Sequence, residues 1–541
     1  MKLEYFIQSL FAYLKLNPKV DLNFCKDIEL RSLKQDSRQI QDHDVFVAIL
    51  GHGQDGHKYI HAALNRGAKV VIAQNFTSEQ LSKTQIHYND HLLKIFLGNG
   101  NIFLQVNDSA EALSFASALW NNFPSRDLFV VGVTGTNGKT SVTYMIESVL
   151  QSLSCPAAVI GTVNHHFADK IWPAEMTTPD AVFLQKRVQE IKDQGAQALA
   201  IEISSHALQQ KRAHHLDLNV AIFTNLTRDH LDFHGSMDDY FLAKEKIFSE
   251  VLASSIKNPR FAILNIDDPW VQKVQIRSQA TKLTFSQKNN ADFQFKILEM
   301  NFGGTSFQLK VRQKDYVLKT DLIGDYNIQN LVAAIASGFC YYMQFNKLNW
   351  AQLIENDQDS IIENCQSALQ SFAGVPGRLQ KVKVHEANKK PTVLIDYAHT
   401  PDALENVLKT LDHIRQKKSL SQKIFCVFGC GGDRDKGKRP LMAQISSKYA
   451  DHVIVTSDNP RTENPDQIIL DIVSGFPQDF KNFFILPSRQ QAIEKVVAEA
   501  APEDVVLIAG KGHENYQIIG QQKLDFDDFK IAHDCLNLSQ S

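Results

Sequence analysis

Phe129-Val130-Val131-Gly132-Val133-Thr134-Gly135-Thr136-Asn137-Gly138-Lys139-Thr140-Ser141 reads as a buried strand, a turn carrying glycines and the start of a helix. Glycines let backbone N–H groups close around phosphate oxygens, and a helix N-terminus favours their negative charge. In such a loop Lys139 reaches the outer phosphates of a nucleotide and Thr140 offers a hydroxyl to magnesium. The competing reading is a tight strand-to-helix turn with an incidental lysine, and the strand, turn and helix start in one string favour the nucleotide.

The same rhythm continues outward. Phe129–Val133, Ala157–Ile160, Ala198–Ile203, Val220–Phe223 and Phe261–Leu264 are apolar runs separated by stretches of helical period. This alternation predicts a mainly parallel sheet covered by helices. Before it, short runs such as Val45–Leu50 and Ala68–Ala73, divided by Gly- and Asp-containing turns, predict a small α/β domain. After it, the polar, acidic segment Gln352–Ser371 leads into Gly374-Val375-Pro376-Gly377-Arg378, a composition suited to a bend between domains. Val393–Ile395, Ile424–Phe428, Val453–Val455, Phe484–Leu486 and Val505–Ile508 then alternate with helical segments in a Rossmann-like pattern. The expected architecture is α/β in three domains: an N-terminal α/β domain over 1–122, a central P-loop ATPase-like parallel-sheet domain over 123–376 and a C-terminal Rossmann-like domain over 377–541.

Composition narrows the function. At 541 residues the chain exceeds what one core usually supports. Its 57 Lys+Arg against 60 Asp+Glu, a formal charge of -3, give no global reason to expect nucleic acid or a membrane surface as partner. Cys25, Cys155, Cys340, Cys365, Cys426, Cys430 and Cys535 are odd in number and lack metal-knuckle spacing, so they read as reduced thiols in packing roles. Leu3, Phe6, Ile7, Leu10 and Leu14 recur at helical spacing, interrupted by Glu4, Gln8 and Lys15, which predicts a short amphipathic helix rather than an export signal. No run is long enough to span a membrane, and a cytoplasmic location is expected.

Several polar residues stand where strands end. Glu202 follows Ala198–Ile201, and a carboxylate near nucleotide phosphates usually means magnesium. Asn225, Asp229, His230 and His234 crowd the segment after Val220–Phe223, with His230 the candidate metal ligand, although a lone histidine at a sheet end is more often a surface group. Lys244, in Phe241-Leu242-Ala243-Lys244-Glu245-Lys246, reads by itself as an exposed helix lysine.

The usual GxxxxGK pattern places glycine where Val133 sits; this chain has Gly132 and Gly135 instead. The string GTNGKT resembles the loop of the Mur ligase and folylpolyglutamate synthetase superfamily. The resemblance extends over nearly the whole chain through Asp36-Ser37-Arg38, Gly51-His52, Thr177-Thr178-Pro179, EISSHAL, TRDHLDFH, VPGR, DYAHTPD, GCGGDRDKGKRP, DNPR and GKGHE. So many ordered matches resemble the Mur ligase family, and within it the diaminopimelate-adding type.

That resemblance implies roles residue by residue. Gly135, Thr136, Asn137, Gly138, Lys139, Thr140 and Ser141 would hold ATP, helped from the domain junction by Asn327 and Arg378 and from the third domain by Asp396 and His399. Glu202, His230 and Lys244 align in order with the family's magnesium-binding glutamate, histidine and carbamylated lysine; with Thr140 they form the implied metal set, and with Lys139 the implied catalytic set. Ser37 and the His52-Gly53-Gln54 turn would hold the uridine diphosphate, and Thr177, Thr178, Ser204, Gln210 and Arg212 the muramoyl-dipeptide. Met176 replaces the asparagine of some relatives and is not included. Arg434, Asp458, Asn459, Pro460, Arg461, Gly510 and Glu514 would bind the incoming diaminopimelate.

The implied reaction transfers the γ-phosphoryl group of ATP, with Mg2+, to the D-glutamate carboxylate of UDP-N-acetylmuramoyl-L-alanyl-D-glutamate, and the amine of meso-diaminopimelate then displaces phosphate. Closure of the third domain over the central one is expected to bring the ligands together. This is a step of peptidoglycan synthesis, and so serves cell shape and division. A monomer is expected. The alternatives are a lysine-adding ligase of the same kind, a folylpolyglutamate synthetase, which would not account for the N-terminal domain or DNPR, and a catalytically silent nucleotide-binding regulator, which would not need Lys139, Glu202, His230 and Lys244 together.

Overall fold

The computed structural model describes residues 1–16, 20–51, 55–372, 374–383, 390–418 and 421–538. It divides into two compact units, Met1–Gln294 with Val332–Cys365, and Phe295–Leu331 with Gln366–Ser541.

In the first unit, Leu3, Phe6, Ile7 and Leu10 line the buried face of a helix over Leu3–Tyr13, as their spacing predicts. The helix lies on a six-stranded sheet of β1 (Leu33–Lys34), β2 (Asp44–Val47), β3 (Ala68–Ala73), β4 (Gln85–Asn89), β5 (Leu93–Gly98) and β6 (Asn101–Val106), ordered β1-β2-β3-β6-β5-β4. β1, β2, β3 and β6 run parallel, whereas β5 turns back on β6. The reversal is made by Asn99 and Gly100, both at positive φ (52° and 76°), the turn whose twist matches that of the flanking strands.

The central sheet follows with β7 (Phe129–Thr134), β8 (Ala157–Ile160), β9 (Asn164–Phe167), β10 (Lys170–Pro173), β11 (Ala198–Glu202), β12 (Val220–Phe223), β13 (Phe261–Asn265) and β14 (Thr281–Ser286). β8, β11, β7, β12, β13 and β14 are parallel neighbours in that order, and the β9–β10 hairpin edges the sheet. Every residue of β7, β8, β11, β12 and β13 is buried, which is why these strands read as unbroken apolar runs rather than alternating ones. Glu202 pairs with Val133 and Phe223 with Thr134, so β11, β7 and β12 end level. The loops that follow leave the same edge, where the strand order reverses and parallel sheets bind ligands.

In the second unit β15 (Phe293–Asn301) completes its run, and β16 (Gly304–Val311) pairs antiparallel with β17 (Lys314–Thr320). The Rossmann-like sheet comprises β18 (Gln380–Lys381), β19 (Thr392–Asp396), β20 (Ile424–Phe428), β21 (His452–Val455), β22 (Phe483–Ile485) and β23 (Val505–Ala509), ordered β18-β19-β23-β20-β21-β22 and parallel from β19 onward. Separate apolar cores cover its faces, one around Leu404, Leu408 and Met442, the other around Ile493, Val496 and Ala532. Arg489 and Asp528, both fully buried, bind bidentately at 2.8 and 2.7 Å and fix the helix over Arg489–Glu499 against the last one. A short ribbon of β24 (Tyr516–Ile519) and β25 (Gln522–Asp525) follows β23. None of the seven cysteines forms a disulfide, and six are buried. Among the described residues no helix is long and apolar enough to cross a membrane.

Candidate active site

The loop after β7 is shaped by its neighbours. Gly135 has φ +143°, and a Cβ there would come within 1.9 Å of Thr224 Oγ1, so any other residue is excluded. Thr224 Oγ1 donates to Asn137 O (2.6 Å), Asn225 Oδ1 accepts from Asn137 N (3.0 Å), and Thr136 N donates to Asn225 O (2.9 Å). The segment after β12 thereby holds the loop open. Gly138 precedes the helix over Lys139–Ser152, with Thr140 and Ser141 buried at its start.

Two lysines meet on this loop. Lys139 Nζ donates to Gly135 O and Thr136 O, both at 3.0 Å, and Lys244 Nζ donates to the same Gly135 O at 2.7 Å. Lys244 is only 2% exposed, so the exposed-lysine reading does not hold. Its Nζ lies 4.5 Å from the centroid of the Tyr240 ring. Burial, and secondarily the neighbouring Lys139, pushes its amine well below the ordinary lysine range.

Glu202, at the end of β11, is 1% exposed. Its Oε1 accepts from Thr162 N (2.8 Å) and its Oε2 from Thr162 Oγ1 (3.1 Å). Among the described residues no lysine or arginine forms an ion pair with it. A buried carboxylate without a cationic side chain, near the hydroxyl-bearing start of a phosphate loop, has the oxygen chemistry that suits a hard divalent ion. His230, at φ +51°, is half-exposed, with Nε2 3.4 Å from Asp229 Oδ2. Its ring lies 5.1 Å from His206 and 6.1 Å from Tyr240, whose hydroxyl accepts from Thr136 Oγ1 at 3.3 Å. Among the described residues no three His, Cys, Asp or Glu side chains form a ready-made cage.

The acceptor-side candidates converge beside Glu202. Thr178 Oγ1 donates to Glu202 O (2.9 Å) and accepts from Ser204 N (3.0 Å); Thr177 Oγ1 lies 3.1 Å from Thr162 Oγ1. Arg212 donates through Nη1 to Thr178 O (3.0 Å) and through Nε to Gln210 Oε1 (3.0 Å), and it also reaches Met176 Sδ at 3.3 Å. Ser37 is buried in a short turn that Asp36 caps by accepting from Arg38 N (2.9 Å). His52, Gly53 and Gln54 lie outside the described residues.

The second unit gathers the other motifs. Gly432 N donates to Asn459 O (2.9 Å), Arg461 Nη1 to Gly432 O (2.8 Å) and Thr462 Oγ1 to Asp433 Oδ1 (2.8 Å), which stitches GCGGDRD to DNPR. Asn459 Nδ2 donates to Glu514 Oε2 (3.0 Å), while its Oδ1 accepts from Lys511 Nζ (3.1 Å) and Ile518 N (2.9 Å). Burial, then Asp458, raises the Glu514 carboxyl. Gly510 N donates to Asp396 O (3.0 Å), and Pro460 is buried, its carbonyl against Gly432. Arg434 is exposed at the rim of this cluster. On its other side Arg378 lies 5.2 Å from the Tyr397 ring, against which His399 and His513 also pack. Burial raises the Asp396 carboxyl, and Asn327 turns its amide to Ile323 O (2.8 Å).

Comparison with known proteins gives this arrangement a family. Residues 29–118, 133–338 and 377–512 match, in order, the Mur ligase family catalytic domain, the Mur ligase middle domain and the Mur ligase glutamate ligase domain. The chain belongs to the Mur ligase family. A relative from Geobacter metallireducens, named UDP-N-acetylmuramoyl-L-alanyl-D-glutamate--2,6-diaminopimelate ligase, is 38% identical over 517 residues, 93% of each chain. One of the same name from Haemophilus influenzae is 38% identical over 522 residues, 94% of this chain and 97% of its own. A solved structure with that title superposes with a TM-score of 0.68 at 30% identity, covering 98% of this chain and 99% of the other.

Reading the Mur ligase sequence missed three groups that the structure adds. Thr162 follows a glycine and looks like turn composition. Tyr240 sits one helical turn before Lys244, a spacing that could have flagged it. Lys511 lies inside GKGHE and is fully buried, a fact that no property of its neighbours in sequence announces.

Proposed function

We propose that this Mur ligase joins meso-diaminopimelate to the D-glutamate side-chain carboxylate of UDP-N-acetylmuramoyl-L-alanyl-D-glutamate at the expense of ATP, in the cytoplasm. A monomer is part of this reading. Residues 1–122 serve the uridine diphosphate end, with Ser37 and His52–Gln54; 123–376 serve ATP and the reacting carboxylate; 377–541 serve the amino acid.

The reading is carried by one observation: buried Lys244 and the loop lysine Lys139 share the carbonyl oxygen of Gly135. Two ammonium groups there repel, and the more buried one gives up its proton. An uncharged amine is the form that attacks carbon dioxide: its nitrogen bonds to carbon as a C=O π pair moves to oxygen, a proton leaves the nitrogen, and the neutral amine becomes an anionic carbamate. Magnesium, held by that carbamate with Thr140, Glu202 and His230, would offset charge on the phosphate oxygens. Lys139 and the N–H groups of Gly135–Ser141 bind and orient the nucleotide, and Asn327, Arg378, Asp396 and His399 are its further proposed ligands. Thr177, Thr178, Ser204, Gln210 and Arg212 hold the dipeptide so that its carboxylate accepts the γ-phosphoryl group and ADP forms. Arg434, Asp458–Arg461, Gly510 and Glu514 bind diaminopimelate, whose amine then attacks the acyl phosphate and expels phosphate.

Phosphate release with ATP, magnesium, the UDP-linked dipeptide and a panel of amino acids tests this. Release should require all components together and favour meso-diaminopimelate over lysine. Turnover on folate substrates, or release without the dipeptide, would contradict it.

A further inference from the structure

Thr162 touches both halves of the chemistry just described, and its hydroxyl has one proton to give. Two acceptors stand at the same distance: Glu202 Oε2 and Thr177 Oγ1, each at 3.1 Å. The contact with Glu202 is built closely. Thr162 N already donates to Oε1, and a Cβ at the preceding Gly161 would come within 2.3 Å of that oxygen, so the backbone can approach only because residue 161 is glycine.

We infer that Thr162 is a positioning residue that couples acceptor binding to the availability of the Glu202 carboxylate. With no ligand at Thr177, the Thr162 proton has both the Thr177 oxygen and Glu202 Oε2 to go to, and the charged carboxylate oxygen is the stronger acceptor. A ligand acceptor that takes the Thr177 proton leaves the Thr177 oxygen to accept from Thr162. The Thr162 proton then turns away, and a lone pair on Glu202 Oε2 is released to a cation. The sign is therefore positive: dipeptide bound at Thr177 favours magnesium-nucleotide at Glu202, and by reciprocity the converse.

This rests on the assignment of Thr177 to the dipeptide and of Glu202 to the metal side. The test is calorimetric and needs no turnover. The affinity of the UDP-linked dipeptide is measured with and without magnesium and a nonhydrolysable ATP analogue, in the wild type, Thr162→Val and Thr162→Ser. The wild type should bind the dipeptide about 5-fold or more tightly when magnesium-nucleotide is present, the lower range of ordinary site coupling. Thr162→Val, of equal shape without the hydroxyl, leaves Glu202 Oε2 free of that donor at all times, so it should bind magnesium-nucleotide alone at least as tightly as the wild type and reduce the coupling to under about 2-fold. Thr162→Ser, which keeps the hydroxyl, should retain the coupling. Coupling that persists in Thr162→Val, or that is absent in the wild type or in Thr162→Ser, overturns the inference while leaving the proposed function intact. A wild type that does not bind the dipeptide at all overturns both.

Discussion

Two buried lysines, one in each unit, have been put to opposite uses. Lys511 is fully buried, yet its Nζ meets Asp458 Oδ1 (3.1 Å), Asn459 Oδ1 (3.1 Å) and Tyr516 O (2.6 Å), with Glu514 at 3.8 Å. Lys244 is 2% exposed and meets a carbonyl oxygen, the ring face of Tyr240 and the influence of a second lysine. Burial costs both the hydration of an ammonium group. Carboxylates offset that cost at Lys511, so its charge fixes the geometry of DNPR and GKGHE. At Lys244 burial and the second lysine instead push the amine well below the ordinary lysine range, which favours its uncharged form beside the phosphate loop. The difference lies in the neighbours rather than in depth.

The comparison breaks most visibly by removing each amine. Lys244→Ala should lower phosphate release by on the order of 10²–10³-fold, the range seen when one charge-stabilising group is lost, and short added carboxylates such as acetate should partly restore it. Full activity in the unsupplemented variant would make Lys244 a packing residue. Lys511→Met should act on stability, because it leaves buried Asp458 and partly buried Glu514 without their cation; a loss of about 3–5 kcal/mol in denaturant unfolding is expected, with no rescue by carboxylate.

Arg461 sharpens the amino-acid side. Its Nη1 is spent in part on Gly432 O, so the guanidinium is held in place before any ligand arrives. Its remaining donors suit the distal carboxylate that diaminopimelate has and lysine lacks. Arg461→Ala should cut the preference for diaminopimelate over lysine, measured as a ratio of kcat/KM, by about 10–100-fold. An unchanged ratio would place specificity elsewhere.

The smallest effect is a pH dependence. Lys244 has a folded value below the 10.5 of an unperturbed lysine, so between the two values the unfolded chain holds the extra proton and stability rises with pH. In buffer freed of carbon dioxide, Lys244→Met should therefore have the higher Tm at neutral pH. That advantage should shrink as pH climbs toward the ordinary lysine range, where both states are neutral. A constant difference across the range would mean that no proton is displaced on folding.

Much of this was legible in the sequence because parallel strands covered on both faces must be apolar throughout. β7, β8, β11, β12, β13, β20 and β23 announce themselves in that way. The motifs at the carboxyl ends of β7 and β11 marked Lys139 and Glu202, and the one after β21 marked DNPR. What could not be read is which polar side chain becomes buried against which. The Lys/Glu-rich helix carrying Lys244 looks solvated in sequence, and only the approach of Gly135 O shows that its amine points inward. Thr162 and Lys511 act through contacts across 40 and 52 residues of chain, to Glu202 and to Asn459, which no local pattern encodes.

The central claim is that burial beside Lys139 makes Lys244 an amine that takes up carbon dioxide. The ¹³C spectrum of the active enzyme in ¹³C-labelled bicarbonate addresses it directly. A single carbamate resonance, absent from Lys244→Met and fading with activity as carbon dioxide is withdrawn, is the predicted result; a fully active enzyme with no carbamate signal would contradict it.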